Sequence, residues 1–244
     1  MERCISKYDV RKNVVWKPKH FRCNDRIKAG VKIHEGEILR FLTLNTPVEA
    51  KRDLTKAFHI LYKRIKRLTV DGLIRDGYIS NRQASFYYGK DKSYYDKLFR
   101  FDFLRVKSKG IDSVHLHILF YGQFIPFDWL YFNWKDVLGV DFIVKNTVDI
   151  KQCKKSCDGS LRNVKSLSSY CVNQYVAGQT GFMSWYSSRD WLEKGFLNNW
   201  NIFIDSYGKL RSDERFVLFW SLYELKKMCS CFSEFPVEYF SGGV

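Results

Sequence analysis

The spacing of apolar residues changes period several times along the chain, and each change marks an element. From Glu37 to Thr46 (EILRFLTLNT) apolar and polar positions alternate with β-branched residues among them, which predicts a strand. Pro47 ends it, because a prolyl nitrogen cannot donate to a ladder. From Val48 to about Leu68 the period becomes helical: Leu54, Ala57, Phe58, Leu61, Ile65 and Leu68 fall on one side while Lys and Arg fill the other. Asp71 to Tyr95 is turn-rich and its pattern selects no single element. Leu98 to Lys107 (LFRFDFLRVK) alternates again, Val114 to Tyr121 (VHLHILFY) is an apolar β-run, and SKGIDS between them suits a hairpin connection, so these two strands are expected to pair antiparallel. Pro126 to Leu138 suits a helix stopped by Gly139, Phe142 to Ile150 a further strand, and Leu161 to Val176 a further helix. The stretch SWYSSRDWLEKGFLNNW and the segment from Asp213 to Met228 read as more helical.

This order predicts an α+β fold with a central, mostly antiparallel sheet carrying helices on one side. No Pro/Gly/Ser linker divides the chain, so the expected organisation is a basic extension over 1–35, one folded domain over 36–200, and a helical segment over 201–244 packed on the same domain. With 45% hydrophobic and 17% aromatic residues the 244-residue chain can bury a core, and 15 Gly with 4 Pro are too few for a low-complexity polymer. No run approaches the ~18 to 20 uncharged apolar residues of a membrane span, and the first residues lack the apolar core of a signal peptide. The expectation is a soluble, cytoplasmic protein with no membrane partner. The seven cysteines are odd in number and widely spread, which predicts reduced thiols, and Cys153-x-x-x-Cys157, Cys229-x-Cys231 and the loose set Cys4, His20 and Cys23 do not form the paired ligands of a zinc knuckle.

Charge changes the picture. Lys and Arg number 41 against 26 Asp and Glu, a formal net charge of +15 that attracts polyanions, and nucleic acid is the commonest intracellular one. The basic residues cluster at Lys63-Arg64, Lys66-Arg67, Arg105 to Lys109 and Lys154-Lys155, and aromatic groups such as Phe86-Tyr87-Tyr88 and Tyr94-Tyr95 lie between them, where exposed rings would stack on unpaired bases. Any single cluster reads equally well as a solvated face; the total carries the weight.

His115-Leu116-His117 lies inside the apolar β-run, and side chains two apart share a face of a strand, so both imidazoles project together. Such a pair is either a metal site or two packed core histidines. Three separated segments bear on the choice: Phe41 to Thr46 (FLTLNT), His115 to Pro126 (HLHILFYGQFIP) and Ser168 to Gln179 (SSYCVNQYVAGQ). In these motifs, and over about residues 37 to 200, the chain resembles the HUH endonucleases, in particular the rolling-circle replication initiators of plasmids and small viruses, most of all those of archaeal elements.

The resemblance implies an HUH/RRM-like sheet and a metal-dependent tyrosine endonuclease that nicks and rejoins single-stranded DNA at an origin hairpin. The implied product is a 5′-phosphotyrosine and a free 3′-hydroxyl that primes synthesis. It implies that His115 and His117 ligate Mn2+ or Mg2+, with Asp102 on the preceding strand as the candidate third ligand, although Lys107 stands where relatives commonly have a glutamate. Tyr175 is the favoured nucleophile because Gln174-Tyr175 falls where relatives have Lys-Tyr, and Tyr170 is the alternative; five positions apart on a helix, about 140° around, the two cannot face the metal together. The lysine that relatives carry near the nucleophile is replaced by Asn173, Gln174, Gly178 and Gln179. Lys63, Arg64, Lys66, Arg67, Arg105, Lys154, Lys155, Gln174 and Gln179 are the candidate DNA contacts. A Gly-x-x-x-x-Gly-Lys-Ser/Thr phosphate loop is lacking, so a host helicase is an expected partner together with the host polymerase. The alternatives are a relaxase or transposase with the same chemistry, and a non-catalytic nucleic-acid-binding module in which His115 and His117 are packing residues.

Overall fold

The alternating segments form strands and the periodic ones helices in the computed structural model, which describes residues 18–34, 36–47, 50, 53–109, 114–141, 147–153, 167–168, 170–172 and 185–192. The chain divides into two compact units, Met1–Trp191 and Leu192–Val244, and the sheet lies wholly in the first. Its strands are β1 (Arg40–Thr46), β2 (Phe101–Lys109), β3 (Val114–Gly122), β4 (Val148–Gln152) and β5 (Trp185–Ser187). They form one antiparallel sheet in the order β4-β1-β3-β2-β5. The helices are α1 (Pro18–Ile33), α2 (Leu54–Ile65), α3 (Val70–Arg75), α4 (Asn81–Tyr88) and α5 (Phe127–Leu138). The protein is therefore α+β, and from β1 to β4 the layers follow the order strand, helices, strand, strand, helix, strand.

Local chemistry accounts for the boundaries. The Asp53 carboxylate accepts from the Thr55 and Lys56 amides at the start of α2, a cap that contributes about 1 kcal/mol, and the helix buries Leu54, Ala57, Phe58, Leu61 and Ile65. Helix α5 follows Pro126 and stops at Gly139, whose φ of 71° is the left-handed conformation that closes a helix at little cost to glycine. The turn-rich stretch after Leu68 holds α3 and α4, capped by Thr69 and by a Ser80/Gln83 capping box. At 6 and 8 residues these helices are too short for a period to show, and their caps were the legible signal.

One face of the sheet meets α2 and α5. Leu42 and Leu44 of β1, Leu116, Ile118 and Phe120 of β3, and Phe101 and Phe103 of β2 pack there with the apolar side of both helices. The other face is also covered, which departs from the expectation of helices on one side. Arg26 of α1 donates from Nε to Ser187 Oγ at 2.8 Å, Trp191 Nε1 donates to the Arg26 carbonyl at 2.9 Å, and the His34 ring lies 4.5 Å from that of Tyr121. The described residues of 167–172 are helical and lie over the same face, with Cys171 and Val172 buried. Helix α1 lies within the expected 1–35 extension; its buried side carries Ile27 and Val31 among Cys23, Ala29 and Gly30, together with the buried polar Asn24 and Asp25, which interrupt any apolar stripe.

The stretch SWYSSRDW, expected as helix, instead supplies β5, which pairs with β2 through Leu104↔Ser187, followed by a single 3-10 turn at Arg189–Trp191. Three residues are too few to display alternation, and the neighbouring strand decides their conformation. Residues 110–113 of the hairpin, 142–146 of the expected strand before β4, and the helix expected over Asp213 to Met228 lie outside the described residues. Among the described residues Cys23, Cys153 and Cys171 are free thiols, and no helix is long and apolar enough to cross a membrane.

Gly30 lets α1 approach the indole of Trp191: a Cβ built there would lie 2.2 Å from the ring. Because that indole is buried and hydrogen-bonded, Gly30→Ala should destabilise the first unit by about 1 to 3 kcal/mol. Scanning calorimetry should show this as a fall of roughly 2 to 10 °C in the thermal midpoint.

Candidate active site

The site is built on β3, which is hydrogen-bonded to β1 on one side and β2 on the other. Sending Leu116, Ile118 and Phe120 into the α2/α5 core turns His115 and His117 to the opposite face. Their rings lie 4.7 Å apart between centroids, with 78° between the planes. The register gives each histidine its neighbours: His117 lies opposite Thr43 and Val106, and His115 opposite Asn45 and Ser108.

His117 is 5% exposed and tightly held. The Thr43 hydroxyl lies 3.2 Å from its Nδ1, and Phe41 stacks on its ring at 5.3 Å. Its Nε2 is buried without a hydrogen-bond partner. Burial, with His115 beside it, lowers the pKa of His117 to about 3, and burial lowers that of His115 as well. Both imidazoles are therefore neutral at pH 7, the state in which a ring nitrogen can ligate a metal. An imidazole held at Nδ1 by an oxygen, with Nε2 open, is the arrangement that metal-bound histidines use, so these residues fit a divalent cation.

Tyr170 joins this group. Its ring centroid lies 5.3 Å from that of His117 and 6.1 Å from that of Phe41, and the residue is 41% exposed. The structure thus sets beside the histidines the tyrosine that the motif comparison placed second. Tyr175 lies outside the described residues, as do Gln174, Gln179, Lys154 and Lys155.

Asp102 is on the same face but at the other end of the strand. It lies opposite Tyr121, four residues along β3 from His117, or about 13 Å. There it is 3% exposed and accepts from Arg100 Nε, while Arg100 Nη1 donates to Glu37 at 2.7 Å. Burial pushes the Asp102 carboxyl above its ordinary range and Arg100 pulls it back. Among the described residues no three His, Cys, Asp or Glu side chains form a group that could hold a metal.

The basic candidates are elsewhere. Lys63, Lys66 and Arg67 lie on or just beyond α2, whose apolar side packs on the sheet face opposite to the histidines. Arg64 is engaged by α5, donating to Asn133 Oδ1 at 2.9 Å and Asp136 Oδ2 at 2.6 Å. Arg105 is 8% exposed, its guanidinium sandwiched by Phe58 at 5.4 Å and Tyr186 at 5.8 Å. The first motif, FLTLNT, carries Phe41, Thr43 and Asn45, to which the sequence assigned no role in the site. Alternation within FLTLNT already sets these three on the face away from Leu42 and Leu44. Their pairing with the histidines depends on strand register, which no local pattern encodes.

Two tests follow from these burials. His117 takes up a proton less readily when folded than its ordinary value of about 6.5, so the unfolded chain binds more protons between about 6.5 and about 3. Its contribution to stability is complete above about 6.5 and is lost as pH falls towards about 3. Urea unfolding midpoints should fall from neutral to acid pH, and His117→Gln should flatten that dependence. Arg100→Ala leaves the nearly buried Asp102 carboxylate without its cation and should cost about 2 kcal/mol or more. Adding Asp102→Asn should recover part of the loss in a double-mutant cycle.

Comparison of the chain with models of known protein families, with curated proteins and with solved structures finds no match in any of the three.

Proposed function

We propose that this chain is a metal-dependent tyrosine endonuclease that nicks and rejoins single-stranded DNA, acting as a replication initiator at the origin of a plasmid or virus. The observation that carries the reading is the grouping of two neutral imidazoles 4.7 Å apart with a phenol 5.3 Å from the second, on the middle strand of an antiparallel sheet. The order β-α-β-β-α-β with strands arranged β4-β1-β3-β2 supports it, since this split arrangement is the sheet that the HUH resemblance implies. The net charge of +15 supports a polyanionic substrate.

We place the nucleophile at Tyr170, whose ring lies 5.3 Å from that of His117, with Tyr175 as the alternative. Its phenolic oxygen attacks the scissile phosphorus and forms a tyrosyl phosphate ester as the bond to the 3′ oxygen breaks. The proton lost by the phenol is balanced by the one gained by the departing 3′-hydroxyl. One ester replaces another, so a 3′-hydroxyl can reverse the step and reseal the strand without a nucleotide cofactor. His115 and His117 would hold Mn2+ or Mg2+ through their neutral nitrogens, and the cation, when bound, would draw charge from the phosphate oxygens and favour the phenolate. Thr43 fixes the orientation of the His117 ring. Phe41, in contact with both His117 and Tyr170, limits the movement of each. Lys63, Lys66 and Arg67 supply phosphate contacts on the far side of the sheet. A host helicase and polymerase would open and extend the strand. The same chemistry would serve mobilisation or transposition, and mapping the nick on the element's own DNA separates these roles.

Incubation with Mn2+ and origin-derived single-stranded DNA should give a covalent adduct that survives SDS, and EDTA should prevent it. Tyr170→Phe should abolish the adduct while Tyr175→Phe retains it; the opposite pair of results would move the nucleophile to Tyr175. His115→Ala and His117→Ala should each reduce adduct formation by roughly a hundredfold or more. DNA binding with no adduct under any divalent metal would leave a nucleic-acid-binding module instead.

A further inference from the structure

The loop that follows β3 leads to an aromatic surface that the nicking chemistry does not use. At the end of α4, Phe86 is 80% exposed and meets Tyr87 edge-on at 5.1 Å. Tyr87 stacks flat on Phe124, with 4.2 Å between centroids and 16° between planes, and the Tyr88 hydroxyl donates to the Phe124 carbonyl at 2.6 Å. The following turn is fastened to the same place, because the buried Tyr95 donates its hydroxyl to the Gly89 carbonyl at 2.7 Å. This fastening turns the adjacent Tyr94 outward, where Lys97 Nζ lies 4.1 Å over its ring. Arg82, Lys90 and Lys92 are exposed around these rings. Two carboxylates lie in the same stretch: Asp91 is occupied as the cap of the turn, accepting from the Ser93 amide at 2.9 Å, and Asp96 is exposed beside Tyr94, against the cations Arg82, Lys90, Lys92 and Lys97.

A large ring as exposed as Phe86 contributes little to folding, so its placement asks for another account. The interior of a protein-protein interface is depleted in charge, above all in lysine. Here the rings alternate with cations, which is the composition of surfaces that stack unpaired bases while neutralising the phosphates between them. We propose that the end of α4 and the turn through Tyr94 form a stacking platform for the bases of single-stranded DNA, with Phe86 and Tyr94 as the outer rings and Arg82, Lys90 and Lys92 as phosphate contacts. The proposal deepens the reading of the chain as an enzyme of single-stranded DNA, and rests on it for the identity of the strand. Phe124, on which Tyr87 stacks, follows His117 by seven residues, so the inner edge of the platform lies at most about 25 Å along the chain from the imidazole pair.

The test is binding of the full chain to a fluorescein-labelled 20-nucleotide oligo-dT by anisotropy, with EDTA present so that the result stands whether or not the chain cuts DNA. Phe86→Ala and Tyr94→Ala should each weaken binding roughly tenfold. The slope of log affinity against log salt should stay as in the wild type, since no phosphate contact is removed. Phe86→Trp should bind at least as well as the wild type, and Lys90→Ala with Lys92→Ala should reduce the slope. A duplex of the same length should bind the aromatic variants as it binds the wild type, its bases being already stacked. Wild-type affinity in both aromatic variants, equal losses on duplex and single strand, or no binding of oligo-dT by the wild type would overturn the platform. Absence of the SDS-resistant adduct bears on the nicking reading alone.

Discussion

With β3 hydrogen-bonded on both sides, a slip of one residue in its register would turn every one of its side chains to the opposite face. That slip would take Leu116, Ile118 and Phe120 out of the α2/α5 core and set two imidazoles into it. Apolar burial at about 25 cal/mol per Å² therefore fixes the register, and the register fixes the direction of His115 and His117. The histidines contribute little to their own placement. Burial lowers the pKa of His117, so the core holds it neutral even at acid pH, where a solvated imidazole would be charged.

The face that carries the histidines has two ends with different physics. At one end the rings of His34, Tyr121 and Trp191 meet, and the guanidinium of Arg100 lies 3.0 Å from His34 Nδ1 and serves the carboxylates of Glu37 and Asp102 together. A carboxylate as buried as Asp102 persists there because its cation is present, and its role is to tie β2 to the start of β1 through Arg100 and Glu37. At the other end no described cation meets the imidazoles. Phe41, His117 and Tyr170 form a cluster of rings around one buried nitrogen that has no hydrogen-bond partner.

Charge is distributed on a larger scale than either end. Lys63, Lys66 and Arg67 by α2, and the exposed lysines around α4, stand on the layer behind the sheet. Such a field attracts polyanions over a broad surface rather than at one point. Arg64 and Arg105 are drawn away from this role by α5 and by the rings of Phe58 and Tyr186. The guanidinium group, with its planar fork and weak hydration, is the cation best able to be used in packing.

The sequence by itself determined the pieces whose signal is local. The alternation of β2, the apolar run of β3, the apolar side of α2, the Gly139 stop of α5 and the shared face of His115 and His117 all follow from residues within a few positions of one another. The same short range explains its failures: α1 buries the polar Asn24 and Asp25 among its apolar residues and shows no clean stripe, β5 is three residues long, and α3 and α4 end before a period can develop. What only the tertiary structure decided is which distant residues meet: Thr43 with His117, Tyr170 with both His117 and Phe41, and Asp102 with Arg100 at the far end of the strand. Those contacts are set by strand register and by the packing of two layers on one sheet. Their free energy belongs to pairs of side chains tens of residues apart, and no pattern along the chain records such a fit.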